Sequence, residues 1–214
     1  MKLLLSKHRV CGFTFIDLLI VLVTVALALV VLATPRRSTC RHRTSCTSNL
    51  KKIGLAFMIW SHDHDDKSPR FVSTNQGGSL EYATSREVFR HLLSISNELV
   101  SPRVLVCPSD PGRKPGTEWD KFGNGNLSYF VGVDANETQP STWLSGDRNI
   151  TTNRRLMSGM LVLSSNSSVS WTTDIHKRAG NIGLADGSVQ QMTDALLLGS
   201  IQQSSNLPTR LAIP

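Results

Sequence analysis

The chain has 214 residues, enough for one domain with appendages. Its formal net charge of +7 would suit a nucleic-acid-binding protein, but residues 53–214 carry 14 Lys or Arg residues against 15 Asp or Glu residues. The positive charge lies on both sides of an apolar segment near the N-terminus, and no stripe of basic and aromatic residues suited to stacking bases is visible. We therefore exclude nucleic acid as a partner and expect the lipid bilayer, with its anionic headgroups, instead.

The apolar segment covers residues 13–33 and contains one charged residue, Asp17. As a helix it would be about 32 Å long, against a hydrocarbon core of about 30 Å. The sequence predicts a transmembrane helix at residues 13–34, and a secretory signal cleaved near Ala33 is the competing interpretation. A carboxylate at mid-bilayer costs about 2.5–3.5 kcal/mol, so Asp17 needs a functional explanation.

A basic stretch before the apolar segment ends in Gly12, which is followed by Phe13 and Thr14, with Asp17 four residues after Phe13. This pattern resembles the leader of type IV pilins and type II secretion pseudopilins. The resemblance implies a leader at residues 1–12 that a prepilin peptidase removes between Gly12 and Phe13. The same enzyme would act as the N-methyltransferase of Phe13.

The resemblance also gives Asp17 a role in assembly. The family carries glutamate at this position, where it is thought to pair with the N-terminal amine of a neighbouring subunit. A buried carboxylate that faces an ammonium recovers much of its desolvation cost. Aspartate is one methylene shorter, so the pairing would require closer packing of the subunits. The alternative is a local role, because the helix macrodipole favours a negative charge near the N-terminus.

A second pattern lies near the C-terminus, where His176 is followed by nine residues and then by Asp186 and Gly187. It resembles the H-X9-DG signature of a large group of pseudopilin-like proteins, and residues 49–56 and 107–110 fit the same group. Asp-Gly between two strand-like segments predicts a type I′ hairpin turn, because glycine tolerates positive φ. We therefore expect structural roles for these three residues.

The rest of the chain predicts a stalk and a head. Pro35 would kink or interrupt a helix that then continues, so that residues 35–66 form the stalk and residues 67–214 the head. A second helix is predicted at residues 85–99. Alternating residues predict strands at 128–133, 160–164, 169–173, 181–185 and 188–192. The predicted fold class is α+β: a long N-terminal membrane and stalk helix packed on a small antiparallel β-sheet head, as in pilins.

The four cysteines form no CxxC pair. Cys107 can bridge to Cys40 or to Cys46 in an oxidising compartment, and free thiols are the other interpretation. The polar run at residues 62–66 fits a solvated helix end better than a metal site. No calcium-loop pattern and no catalytic motif is present, so the chain is expected to need no metal or cofactor and not to be an enzyme.

These observations predict a pseudopilin-like structural subunit that assembles with other pilin-like subunits into a short filament of a type II-like secretion or envelope machine. The leader would set a cytoplasmic N-terminus and a periplasmic head on a single-pass inner-membrane protein. Charge alone favours the reverse, because four arginines follow the apolar segment. Two other functions are alternatives on the sequence: a membrane-anchored extracytoplasmic binding module that forms no filament, and an exported enzyme on an uncleaved anchor.

Overall fold

A computed structural model describes residues 14–33, 38–152, 155–156, 158–203 and 209–214. The chain divides into two compact units, residues 1–38 and residues 39–214. Its helices are α1 (Phe15–Ala33), α2 (Ser38–His62), α3 (Phe89–Leu93) and α4 (Asp194–Gln202). Its strands are β1 (Tyr129–Gly132), β2 (Trp143–Asp147), β3 (Ile150–Thr152), β4 (Arg155–Leu156), β5 (Gly159–Leu163), β6 (Val169–Trp171), β7 (Ala179–Leu184), β8 (Val189–Thr193) and β9 (Thr209–Ile213).

Helix α1 begins with a capping box. The backbone N–H of Asp17 donates to Thr14 Oγ1, and the Asp17 carboxylate accepts from the Thr14 backbone N–H at 2.9 Å and from its hydroxyl at 2.7 Å. Further along, the Thr24 hydroxyl donates to the Val21 carbonyl within the same helix. Between Phe15 and Leu29 the surface of α1 is therefore apolar on every side, and the large apolar side chains in this range are 49–79% exposed.

No helix in the described part of the chain combines the length and the apolar character needed to cross a bilayer. The charge of Asp17 lies in the first turn of α1, and the uncharged residues 18–33 after it span about 24 Å, short of the roughly 30 Å hydrocarbon core. The predictions of a transmembrane helix at residues 13–34 and of a single-pass inner-membrane location with a periplasmic head are therefore wrong.

The fold-class prediction is also wrong. Instead of one long membrane and stalk helix, the structure has α1 and, separately, α2, which begins at Ser38. Pro35 lies between them in the sequence, and proline disfavours a helical conformation of the residue before it. The main sheet has six antiparallel strands and is larger than the small head sheet that the sequence predicts. A separate second sheet has three strands. The helix predicted at residues 85–99 is shorter in the structure, where α3 covers Phe89–Leu93 and the backbone N–H of Glu87 donates to the Ser85 hydroxyl ahead of it.

The head is built on the six-stranded sheet, whose strand order is β5-β9-β1-β2-β7-β8, with the three-stranded sheet in the order β4-β3-β6. Both faces of the large sheet are covered. In β1, Tyr129 and Val131 point to the cluster formed with α2, whereas Phe130 points to the opposite cluster with α4 and the small sheet. Two-sided burial explains why β1 is buried at every position.

Helix α2 contributes one stripe to the core. Its buried residues recur at intervals of three and four, which places them on one helical face. They are Cys46, Leu50, Ile53, Phe57 and Trp60. The stripe packs on the β7–β8 hairpin, because a Cβ on Gly183 would lie 3.9 Å from Leu50 Cβ and one on Gly54 3.5 Å from Gly187 Cα.

Candidate functional site with a buried disulfide, a histidine and a carboxylate

A disulfide joins α2 to the segment after Pro102–Leu105. Cys46 and Cys107 are fully buried and bonded, and they are 61 residues apart in the chain. Of the pairings that the sequence left open, this is the one the structure forms. The disulfide fixes the first half of α2 to the head.

The histidine of the H-X9-DG pattern lies against this disulfide. The side chain of His176 is only 2% exposed. Its Nε2 atom is 3.4 Å from Cys107 Sγ and 3.5 Å from an oxygen of Asp147. Its backbone carbonyl accepts a hydrogen bond from Arg43 of α2 at 3.1 Å. The motif histidine therefore faces the interior of the head.

The loop that carries His176 has an uncommon backbone. His176, Lys177 and Arg178 have φ angles of 55°, 54° and 62°, three non-glycine residues in succession in the left-handed region. Such residues persist only where the surrounding structure over-determines them. Here the buried Asn149 does so, since its amide nitrogen donates to the carbonyls of Thr172, Ile175 and Ala179 at 3.0–3.3 Å.

Asp147 is the buried carboxylate of the cluster, at the end of β2. One of its oxygens accepts from the backbone and side-chain nitrogens of Asn181 at 2.7 and 2.8 Å, while the other has no hydrogen-bond partner. Burial raises the pKa of Asp147 to about 7, although the bonds from Asn181 lower it. Burial raises the pKa of the neighbouring Tyr129 well above its usual range.

The cluster brings together the side chains that bind soft and borderline metals. The ligand atoms of Cys46, Cys107 and His176 all lie within 4.8 Å of one another. Thiolate sulfur and imidazole nitrogen are common ligands of zinc. Sequence reasoning expected no metal and assigned His176 a structural role. Only the tertiary structure joins residues 46, 107, 147 and 176.

The segment at residues 107–110 has a second contact. Asp110 and Arg148 form a two-pronged ion pair with N–O distances of 2.7 and 2.8 Å. Burial raises the pKa of Asp110, but hydrogen bonds and charge from Arg148 bring it below its usual value. Cys107 and Asp110 therefore anchor the two ends of this short turn, one to α2 and one to the residue after β2.

Asp186 and Gly187 form the turn of the β7–β8 hairpin. The Gly187 N–H donates to the Leu184 carbonyl at 3.0 Å, and Asp186 accepts from the Ser188 N–H at 2.8 Å. Of residues 185–187 only Gly187 has a positive φ, +79°. The turn is thus a three-residue connection with glycine in the left-handed region, and the predicted type I′ turn is wrong.

The spacing of the H-X9-DG pattern matches the distance between two points on α2. The His176 carbonyl accepts from Arg43 at one end of β7, while at the other end a Cβ placed on Gly54 would lie 3.5 Å from Gly187 Cα. Arg43 and Gly54 are about 17 Å apart along a helix, and the six residues of β7 span about 20 Å. The structure does not bring His176 and Asp186 into one site; the two motif ends hold the hairpin along α2.

The other predicted site residues lie elsewhere. Gly12 and Phe13, the expected processing site, lie outside the described residues. Asp17 lies in the capping box of α1. In the polar run at residues 62–66, His64 stacks on Trp60 with ring centroids 3.6 Å apart and its Nδ1 lies 2.8 Å from the Trp60 carbonyl, a local helix-end contact.

No protein-family model matches the chain, and neither a curated protein nor a solved structure does. The resemblance to pilin-like proteins therefore stays a prediction. No family match supports the predicted membership of the type II secretion pseudopilins or the predicted methylation of Phe13.

Proposed function

We propose that the chain is a structural subunit that assembles through α1 into a short pilin-like filament after removal of residues 1–12, with residues 39–214 as its head. The observation that carries this proposal is the surface of α1. Between Phe15 and Leu29 its large apolar side chains are 49–79% exposed on every side of the helix, and Asp17 is the one charged residue of α1. A helix that is apolar on every side is stable in water only when other apolar surface covers it.

Copies of α1 from sister subunits are the cover that we propose. Burying a Val, Leu or Ile side chain stabilises by roughly 1.5–3 kcal/mol, so covering one side of α1 supplies several times the free energy of any single polar contact. In a filament, every subunit except those at the two ends has neighbouring α1 helices against which its own α1 can pack. The filament then grows by repeating one interface between helices.

Asp17 would pair with the amine of Phe13 in a neighbouring subunit. The bonds that Asp17 makes to Thr14 both use one carboxylate oxygen, Oδ2. A carboxylate has two oxygens and about four lone-pair sites, so the capping box and an ammonium partner are compatible. The same side chain would start the helix and select the register of its neighbour.

Mass spectrometry of the mature N-terminus tests the processing step. We expect a chain that starts at Phe13 when a prepilin peptidase is co-expressed, and the intact chain when Gly12 is replaced by alanine. A chain that starts at Met1 in the presence of the peptidase, or one that starts beyond Ala33, contradicts the proposal.

Three variants separate the capping role of Asp17 from its assembly role. Thr14→Ala removes a cap but keeps the charge, Asp17→Asn keeps an acceptor but removes the charge, and Asp17→Glu restores the family residue with the charge. We expect filaments, scored by electron microscopy and sedimentation, from Thr14→Ala and Asp17→Glu but not from Asp17→Asn. Equal loss in Thr14→Ala and Asp17→Asn would reduce Asp17 to a helix cap.

Crosslinking between introduced cysteines along α1 tests the interface itself. Subunits of a filament should give ladders of crosslinked species from several α1 positions. A strictly monomeric pattern would favour a binding module that forms no filament.

A further inference from the structure

We infer that the reduced protein binds zinc through Cys46, Cys107 and His176, with Asp147 as the fourth ligand. The disulfide and the zinc site are alternative states of the same residues. This inference is independent of the proposed filament, because it concerns the interior of the head alone.

Two of the distances between the ligand atoms already fit a tetrahedral ion. Zinc bonds of about 2.3 Å to sulfur and about 2.0–2.1 Å to nitrogen and oxygen imply edges of about 3.6 Å between sulfur and nitrogen and about 3.3 Å between nitrogen and oxygen. Cys107 Sγ lies 3.4 Å from His176 Nε2, and that nitrogen lies 3.5 Å from Asp147 Oδ2, the oxygen that also accepts from Asn181. The two sulfurs must separate, and reduction of the disulfide allows this. The Asp147 carboxylate lies outside the group of three ligand atoms that are within 4.8 Å of one another, so it must move toward the sulfurs when the ion binds.

Two further observations point to a ligand at this position. The Oδ1 atom of the fully buried Asp147 has no hydrogen-bond partner, and a buried unsatisfied carboxylate oxygen calls for an ion or a water. His176, whose side chain is 2% exposed, also lies in the left-handed stretch of backbone at residues 176–178. Strain of this kind concentrates at functional sites.

The charges of the site balance once zinc is bound. Two thiolates and the Asp147 carboxylate carry three negative charges, and the ion brings two positive charges. Arg43 supplies the remaining positive charge, since its guanidinium donates to the carbonyl of His176 at 3.1 Å. A buried metal site with balanced charge avoids the large cost of an isolated buried ion.

The change of state needs a two-electron reductant, and a dithiol is the class that we propose. The dithiol gives two electrons and two protons to the Cys46–Cys107 bond and becomes a disulfide itself. The two cysteines become thiols, and zinc displaces their two protons into the solvent as it binds. Metal binding to the reduced head therefore releases protons and becomes stronger as pH rises.

Cobalt titration of the full-length chain tests the inference, in a background with Cys11→Ser and Cys40→Ser so that only two cysteines remain. Co²⁺ reports tetrahedral geometry by its visible bands and thiolate ligands by a near-ultraviolet charge-transfer band. We expect one Co²⁺ per reduced chain, displaced by one Zn²⁺, and no such spectrum from the oxidised chain. Near-ultraviolet circular dichroism monitors the fold in each state.

Variants assign the ligands. His176→Ala and Asp147→Asn should each weaken cobalt binding at least tenfold, and Cys107→Ser should remove the charge-transfer intensity of one sulfur. His62→Ala, in the polar run at the end of α2, is the matched control and should bind as the background does.

The inference is wrong if the reduced chain binds no cobalt, if the oxidised chain binds it equally, or if His62→Ala removes the binding. It is also wrong if reduction unfolds the head and zinc does not restore the near-ultraviolet signal. A reduced head that is unfolded without zinc and refolds with it would support the inference as strongly as a folded one.

Discussion

The backbone conformation of Gly187 predicts how much stability the protein loses when this glycine is replaced by alanine. Gly187 has a φ of +79°, a conformation that costs an L-residue roughly 1–2 kcal/mol. A Cβ there would also lie 3.2 Å from Met58 Sδ, but methionine is flexible enough to move. We therefore expect Gly187→Ala to lower the free energy of unfolding by about 1–2 kcal/mol and the Tm by about 2–8 °C for a chain of this size.

Thermal unfolding followed by circular dichroism measures this effect. Gly199→Ala is the matched control, because it makes the same change in α4 at a position with nothing within 4 Å. There alanine favours the helix, and we expect a gain of about 0.5–1 kcal/mol. If Gly187→Ala melts at or above the wild-type temperature while Gly199→Ala behaves as expected, the backbone conformation of residue 187 is not what selects glycine there.

Three other predictions concern the core of the head. Replacing Cys46 and Cys107 together by alanine should lower the free energy of unfolding in denaturant by about 2–4 kcal/mol, since the bond closes a long loop; an unchanged midpoint would show that the disulfide adds nothing. Burial, with the nearby charge of Arg70, lowers the pKa of His91 to about 4. Its contribution to stability is therefore present above the unfolded pKa of about 6.5 and is lost as pH falls toward 4, so His91→Asn should flatten that part of the pH–stability curve; an unaltered acid limb would contradict the assignment. Asn149→Ala removes the side-chain donor of the Ile175 and Ala179 carbonyls, while the Thr172 carbonyl keeps its bond from the Arg178 N–H at 3.2 Å, and the change should cost about 2–3 kcal/mol in denaturant unfolding. A loss below 0.5 kcal/mol, about the size of a surface substitution, would show that Asn149 does not hold the left-handed loop.

Local patterns were informative where one stretch of chain decides the outcome. The alternation at residues 128–133 and 181–185 located β1 and β7, and Asp-Gly located the turn between β7 and β8. Leu50, Ile53, Phe57 and Trp60, spaced three and four residues apart, lie on the buried face of α2, whereas the apolar Leu55 and Met58 between them are exposed. The turn type was wrong because a two-residue and a three-residue connection differ in how the strands pair, and that pairing depends on the whole hairpin.

The membrane prediction failed for a reason that the sequence contains. Counting apolar residues from 13 to 33 treats Asp17 as an exception inside a span. In the structure Asp17 starts the helix by bonding Thr14, so the uncharged part of α1 begins only after it. Asp17 is therefore a residue that caps the start of the helix, not a charge inside a membrane span.

The sequence by itself determined the apolar helix at the N-terminus, the alternating strands and the position of the hairpin turn, because these depend on neighbours a few residues apart. The tertiary structure alone decided which cysteine Cys107 bonds and that His176 and Asp147 meet at that bond. Those contacts join residues that are 29–130 positions apart in the chain. A local sequence pattern does not indicate which distant segments come together in the fold. The spacing of the H-X9-DG pattern connects the sequence to the tertiary structure. It sets the length of β7, which runs along α2 from Arg43 to Gly54.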